Sequence, residues 1–274
     1  MKKENKLSSD KVFEIANCVF FLILVIIVAY PLYYVLVASI SDPYEVYAGK
    51  TFLLPSKVTF EGYARVFKEK SIAMGYVNSI YYTVLGTLVS VALIITTGYC
   101  VSKKTLPFRK AIMIFYVITM YFGGGLIPTY LVVSKTGLLN SVWSLILPGG
   151  VAVYNVIVAR TYFESSIPEE LYEAASIDGS GNMGTFFKIA LPLAKPILAV
   201  MVIFTMVAYW NDWFTSLIYM SDKAKYPLQL ALRQILIQSQ AAATMIGNMD
   251  GGYAQANRIT ELIKFASIVV GAVP

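Results

Sequence analysis

Glu173-Ala174-Ala175-Ser176-Ile177-Asp178-Gly179, followed ten residues later by Ile189-Ala190-Leu191-Pro192, is a polar, acidic block set between long apolar runs. Residues 15–41, 71–102, 111–134 and 136–159 carry no charge, and the run 196–221 is broken only by Asp212. Each exceeds the ~20 residues that a helix needs to cross a ~30 Å hydrocarbon core. Lipid cannot satisfy an open backbone, so these runs predict an all-α membrane protein. The composition agrees, with 57% of the chain hydrophobic and 14% charged. The acidic block is therefore a connection between spans, and its ordered character asks for a task.

The sequence holds no His, which removes the commonest general base and metal ligand. No catalytic residue and no metal site is expected. Cys18 and Cys100 sit in apolar runs and read as two small buried hydrophobes rather than a disulfide framework. The net charge of +6 comes from cations flanking the apolar runs, so it speaks for orientation and not for nucleic acid. Lys2, Lys3, Lys6 and Lys11 precede a run too long for a cleaved signal peptide, so a retained first helix is expected.

Loop charges set the orientation. The N-terminal tail and the connection carrying Lys103, Lys104, Arg109 and Lys110 fall on one side, while the short connection with Lys135 alone falls on the other. The N-terminus is thus expected in the cytoplasm, and the Glu173 block with it. One transmembrane domain, 1–274, is expected, with helices at about 15–40, 73–101, 111–134, 141–162, 196–220 and 259–274 and an inner loop at 163–195. Only ten residues follow Lys264, so the sixth helix is expected to be cut short. Gly123, Gly124 and Gly125 suggest either a bend in the third helix or close helix packing.

Within the inner loop, Pro168, Glu169, Glu170 and Glu173 read as a helix start, with acids at the positive end of the dipole. Ala174 and Ala175 permit close approach of another surface. Gly179 supplies the left-handed residue that ends a helix. A plain amphipathic connector on the bilayer would carry basic residues instead.

Taken as E-A-A-x-x-x-G with a distant I-x-L-P, this block resembles the cytoplasmic signature of the permease subunits of type I ATP-binding-cassette importers. Nearly the whole chain is similar to the carbohydrate-uptake branch, and to its smaller maltose-transporter-type permease. Gly123-Gly124-Gly125-Leu126-Ile127-Pro128-Thr129-Tyr130 and Pro227-Leu228-Gln229-Leu230 resemble the oligosaccharide and polysaccharide-fragment importers of Gram-positive bacteria. The resemblance implies a six-helix fold in the plasma membrane and a coupling helix seated in an ATPase subunit, with Glu169, Glu173, Ala174, Ala175, Asp178 and Gly179 as its contacts. It implies as partners a second permease, two ATPase subunits, an extracellular solute-binding protein and a carbohydrate. The amphipathic stretch 227–236 is a candidate surface for that binding protein. ATP and Mg would sit on the ATPases, with no cofactor on this chain. The sequence agrees on ATP, because the one fragment near a P-loop, Gly49-Lys50-Thr51, has Tyr44 where the first glycine belongs.

Polar groups inside apolar runs are candidates for a substrate path. Tyr209, Trp210, Asn211 and Asp212 combine stacking faces with amide and carboxylate, which suits sugars. An interfacial aromatic belt explains them equally well. Asn155 is either path or helix–helix glue, and Asn78 is a further candidate. Ser79, Thr83, Thr87 and Ser90 form a small polar stripe that suggests close helix packing. The alternative function is a stand-alone channel or secondary transporter. Asp212 has no paired intramembrane charge to couple an ion, which counts against it. A membrane-embedded enzyme lacks the clustered acids and bases it would need.

Overall fold

The computed structural model describes residues 4–247 and 253–272. Among the described residues the chain is helical, with no strand. In order the helices are α1 (Glu4–Ser39), α2 (Pro43–Tyr47), α3 (Glu61–Lys68), α4 (Lys70–Ser102), α5 (Arg109–Tyr121), α6 (Leu126–Lys135), α7 (Trp143–Ile146), α8 (Val153–Ser165), α9 (Glu169–Ile177), α10 (Asn182–Thr185), α11 (Leu191–Leu193), α12 (Lys195–Asn211), α13 (Phe214–Tyr219), α14 (Leu228–Gly247) and α15 (Tyr253–Ala272). Residues 10–39 of α1, and α4, are long and apolar enough to cross a membrane unbroken. Two further helix pairs are apolar enough to cross only if each bent pair is one span. α5 and α6 meet at 115°, and the stretch Asn182–Leu193 meets α12 at 78°.

Several expected helices are therefore interrupted, each for a local reason. The expected third helix, 111–134, breaks at 122–125, where Gly125 takes φ +88°. A side chain at Gly123 or Gly125 would meet nothing within 4 Å, so these glycines serve the bend and not close packing. The fourth, 141–162, is the short α7 followed by α8, with Pro148, Gly149 and Gly150 between them. The fifth, 196–220, stops at Asn211 and resumes at Phe214. The sixth forms 20 residues of helix beginning at Tyr253, earlier than position 259.

The chain divides into two compact units. One comprises residues 1–70 and 232–274, and the other 71–231. In the first, α15 packs on α1, α2 and α3, with Gly62 so close to the Leu262 carbonyl that an added Cβ would lie 2.6 Å from it. Arg258 reaches Asp42 and Glu61, each at 3.3 Å.

In the second unit α4 is the spine. Its buried positions recur every three or four residues, from Ile72 and Gly75 through Ser79, Thr83, Gly86, Ser90 and Ile94 to Gly98 and Ser102. Between apolar helices in lipid the hydrophobic term largely vanishes, and close contact does the holding. The expected small polar stripe is this contact face. A Cβ on Gly98 would lie 2.7 Å from that of Ala159, so α4 and α8 nearly touch there. Leu228 N donates to Ser79 Oγ at 2.8 Å, which buries the start of α14 at Leu228 and Leu230. That start of the 227–236 stretch is thus an anchored turn and not the open surface expected of it.

Cys18 and Cys100 correct the expectation of burial, since both are exposed. A helix whose outer face meets lipid can carry a small apolar residue there at no cost.

Candidate functional sites

Two features of the second unit concentrate polar chemistry. The first is the loop built on α9. Glu169 and Glu170 occupy its first turn, directly after Pro168. Its far end closes as a Schellman turn, with Ser180 N donating to Ala175 O at 2.9 Å and Gly179 N to Ser176 O at 3.1 Å. Gly179 has φ +75°, where any side chain is strained. The helix therefore ends where the sequence predicts.

α9 has two faces. Tyr172 packs on the cluster of Tyr99, Phe163, Ile167 and Phe186, and Ala175 is buried. Glu173, Ala174, Ile177 and Asp178 turn outward, and Gly179 is exposed beyond them. Ala175 thus departs from the expected contact set, because at 4% exposure it is occupied within its own chain. Glu169 is engaged as well. Lys104 Nζ lies 2.6 Å from its carboxylate and holds that carboxyl below the usual range. Sequence reasoning missed the apolar side of this surface. Ile177 is 87% exposed, Met183 73% and Phe187 58%. Their spacing gives no hint, since Phe186 is buried and Phe187 is not. A single π-helical turn at Phe186–Ala190 sets that register.

The second feature is a cavity of about 530 Å³ between α4, the 145–155 segment and the α12–α13 break. Ser90, Asn155, Thr205, Tyr209, Asn211, Asp212 and Thr215 supply its polar groups, and Phe204, Phe214 and Tyr219 its aromatic walls. The size lies within the ordinary range for small-molecule sites. Tyr209 OH and Ser90 Oγ are 2.8 Å apart, and the Tyr209 ring fills the space that a Cβ on Gly86 would take. Asn211 Nδ2 donates back to Val207 O at 3.0 Å. Asp212 accepts from Thr215 N at 3.1 Å, and so caps the first turn of α13. Asn155 is buried, at 9% exposure, and its side chain lines the cavity.

Two sequence candidates lie elsewhere. Asn78 is absent from the lining. Its amide donates to the carbonyls of Ala224 and Tyr226, at 2.8 and 3.0 Å, and fastens that loop to α4. Trp210 sits beside Tyr76, ring centroids 6.3 Å apart. Ser90, Thr205 and Thr215 were missed as lining groups, because only the tertiary crossing turns them toward one space.

No family profile matches the chain. Individual relatives do. The chain is 37% identical to the polygalacturonan/rhamnogalacturonan transport system permease protein YtcP of Bacillus subtilis (strain 168), over 97% of this chain and 91% of the relative. It is 36% identical to Protein LplC of the same organism, over 97% and 88%. The diacetylchitobiose uptake system permease protein NgcG of Streptomyces coelicolor is 28% identical, over 97% and 84%. Among solved structures, the crystal structure of a bacterial ABC transporter involved in the import of the acidic polysaccharide alginate superimposes with a TM-score of 0.81 at 30% identity, over 95% of this chain and 93% of that one.

Proposed function

The chain belongs to the membrane permeases of carbohydrate ATP-binding-cassette importers, and we propose that it forms one half of a two-permease pore driven by two separate ATPase subunits. The carrying observation is α9, a short helix with a fixed end, an inward face packed on its own core and an outward face left uncovered. In this reading Glu173, Ala174, Asp178 and Gly179, with Ile177 beside them, seat in a cleft of an ATPase. ATP and Mg are held there and not on this chain. Closure of the ATPase pair moves α9 and switches the permeases between inward-facing and outward-facing states. An extracellular solute-binding protein delivers the sugar. The N-terminus lies in the cytoplasm and the membrane is the plasma membrane, as the basic connections suggest.

The cavity is this subunit's part of the path. Asn155, Tyr209, Asn211 and Asp212 offer amide, hydroxyl and carboxylate partners to sugar hydroxyls, and Phe214 and Tyr219 offer faces to the ring C–H groups. The substrate class is an oligosaccharide, in line with relatives named for polygalacturonan/rhamnogalacturonan transport and for diacetylchitobiose uptake.

Co-purification tests the assembly. A tagged chain, expressed with its neighbouring permease, ATPase and binding-protein genes, should bring down a second permease and two ATPases. ATP hydrolysis by that complex should rise when the sugar-loaded binding protein is added. If the chain purifies alone and moves solute across liposomes without ATP, the stand-alone channel or secondary transporter takes its place.

A further inference from the structure

α9 is joined to the end of α4 by more than apolar packing. Lys103 directly follows α4, and its ammonium lies between two aromatic rings. It is 2.7 Å from the ring centroid of Tyr172 on α9 and 4.8 Å from that of Tyr99 on α4. The two rings are themselves 6.3 Å apart. Tyr99 is locked in turn against Phe163 of α8 and against Phe186, at 5.5 and 4.8 Å. The neighbouring Lys104–Glu169 pair is largely exposed at both ends, so it orients α9 more than it holds it. Lys103 and Tyr172 are both half-buried, and a cation over an aromatic face is stronger the more it is desolvated.

We propose that Lys103 is a positioning residue that clamps α9 to the end of α4 through Tyr172 and Tyr99, so that displacement of α9 is delivered to the helix lining the cavity. The inference rests on the coupling role of α9 stated above. It adds the element that receives the motion: α4 runs unbroken from Ser102, next to Lys103, past Ser90, and Ser90 is bonded to Tyr209 at the cavity wall. A loose α9 would still seat in an ATPase and permit hydrolysis, but the stroke would be lost between the two helices.

The clamp has a pH limit. Burial pushes the Lys103 ammonium down to about 8, against the opposing pull of Glu169. The groups facing it are the rings of Tyr99 and Tyr172 and the carboxylate of Glu169, with Lys104 next to it in the chain. The Tyr172 hydroxyl, pushed up to about 12 by burial, stays neutral throughout. Lys103 therefore loses its proton at a lower pH than an exposed lysine, and the clamp weakens as the pH rises. An Arg in its place stays charged over the whole range.

The test uses the assembled transporter in proteoliposomes and measures sugar moved per ATP hydrolysed. Lys103→Met and Tyr172→Leu should retain the ATPases and their hydrolysis yet lower that ratio about tenfold, while Lys103→Arg and Tyr172→Phe restore it. Between pH 7 and 9 the wild-type ratio should fall and the Lys103→Arg ratio should hold. An unchanged ratio in Lys103→Met and Tyr172→Leu overturns the clamp. Loss of the ATPases in those variants also overturns it, by assigning the cluster to subunit seating. Gly179→Val serves as the control for the underlying reading. If it too leaves assembly and uptake intact, α9 itself is not the coupling element.

Discussion

The α9 loop and the α12–α13 break are both interruptions in an apolar chain, and they are built in opposite senses. At α9 a polar segment, ended by Gly179, turns Ile177, Met183 and Phe187 out into the open. At the break an apolar helix stops at Asn211, Asp212 caps the next one, and polar groups turn inward to a cavity. Exposed apolar surface beside a rigid polar helix awaits another protein. In the proposed function, the enclosed polar groups receive a small polar solute. The first region is then a handle and the second a binding space, so mutations in each should separate mechanical from chemical defects.

The largest effect is expected at Gly179. A β-branched residue there is forced into the left-handed region at about 1–2 kcal/mol or more, and the Schellman turn reopens. Gly179→Val should lower uptake at least tenfold, with the protein still in the membrane and with sugar affinity of any residual transport unchanged. Uptake kinetics beside an immunoblot of membranes decide it. A raised KM with normal maximal rate would erase the distinction drawn between the two regions.

A smaller loss is expected from Ile177→Ser, which removes apolar area and leaves the helix end intact. Interface side chains of this kind cost about 1–2 kcal/mol on truncation, so the ATPase should dissociate roughly tenfold more readily. Titration of detergent-solubilised permease with its ATPase reads this directly. Equal retention by wild type and variant would mean that the exposed Ile177 faces lipid headgroups.

The two regions were unequally legible in the sequence. The α9 loop declares itself because its determinants are local: an acidic first turn, small residues, and a glycine at the one position requiring φ +75°. The spans were legible as apolar runs, and Gly123, Gly124 and Gly125 pointed to the bend at 122–125, though not to its 115°. The stop at Asn211 was not legible, because it falls inside a nearly charge-free stretch where hydropathy carries no signal. Within the cavity, Asn155 and Asp212 were visible as polar residues in the wrong solvent. Ser90 and Thr205 were not, because hydroxyls are common at close helix crossings. Asn78 shows the converse, a polar residue in an apolar run whose amide is consumed by loop carbonyls.

On the cavity side, Asn155→Ala should raise the KM for sugar about threefold to tenfold, since one hydrogen bond to a neutral partner contributes about 0.5–1.5 kcal/mol. ATP hydrolysis in the absence of sugar should be unaltered. A fall in complex yield would instead assign the amide to packing within the complex, and the polar character of the cavity would rest on its other groups, Tyr209, Asn211 and Asp212 among them.

Asp212 carries the smallest and most divisible effect, because its carboxylate caps α13 and also lines the cavity. Asp212→Ala removes both roles, and the lost cap alone costs about 1 kcal/mol. Asp212→Ser keeps a capping oxygen and removes the charge. If Ser restores both the melting temperature and sugar KM, the residue acts through the backbone and the cavity does not use its charge. If Ser restores the melting temperature alone, the carboxylate itself meets the sugar. The break between α12 and α13 would then be a binding element in its own right, and not merely the bend that makes room for one.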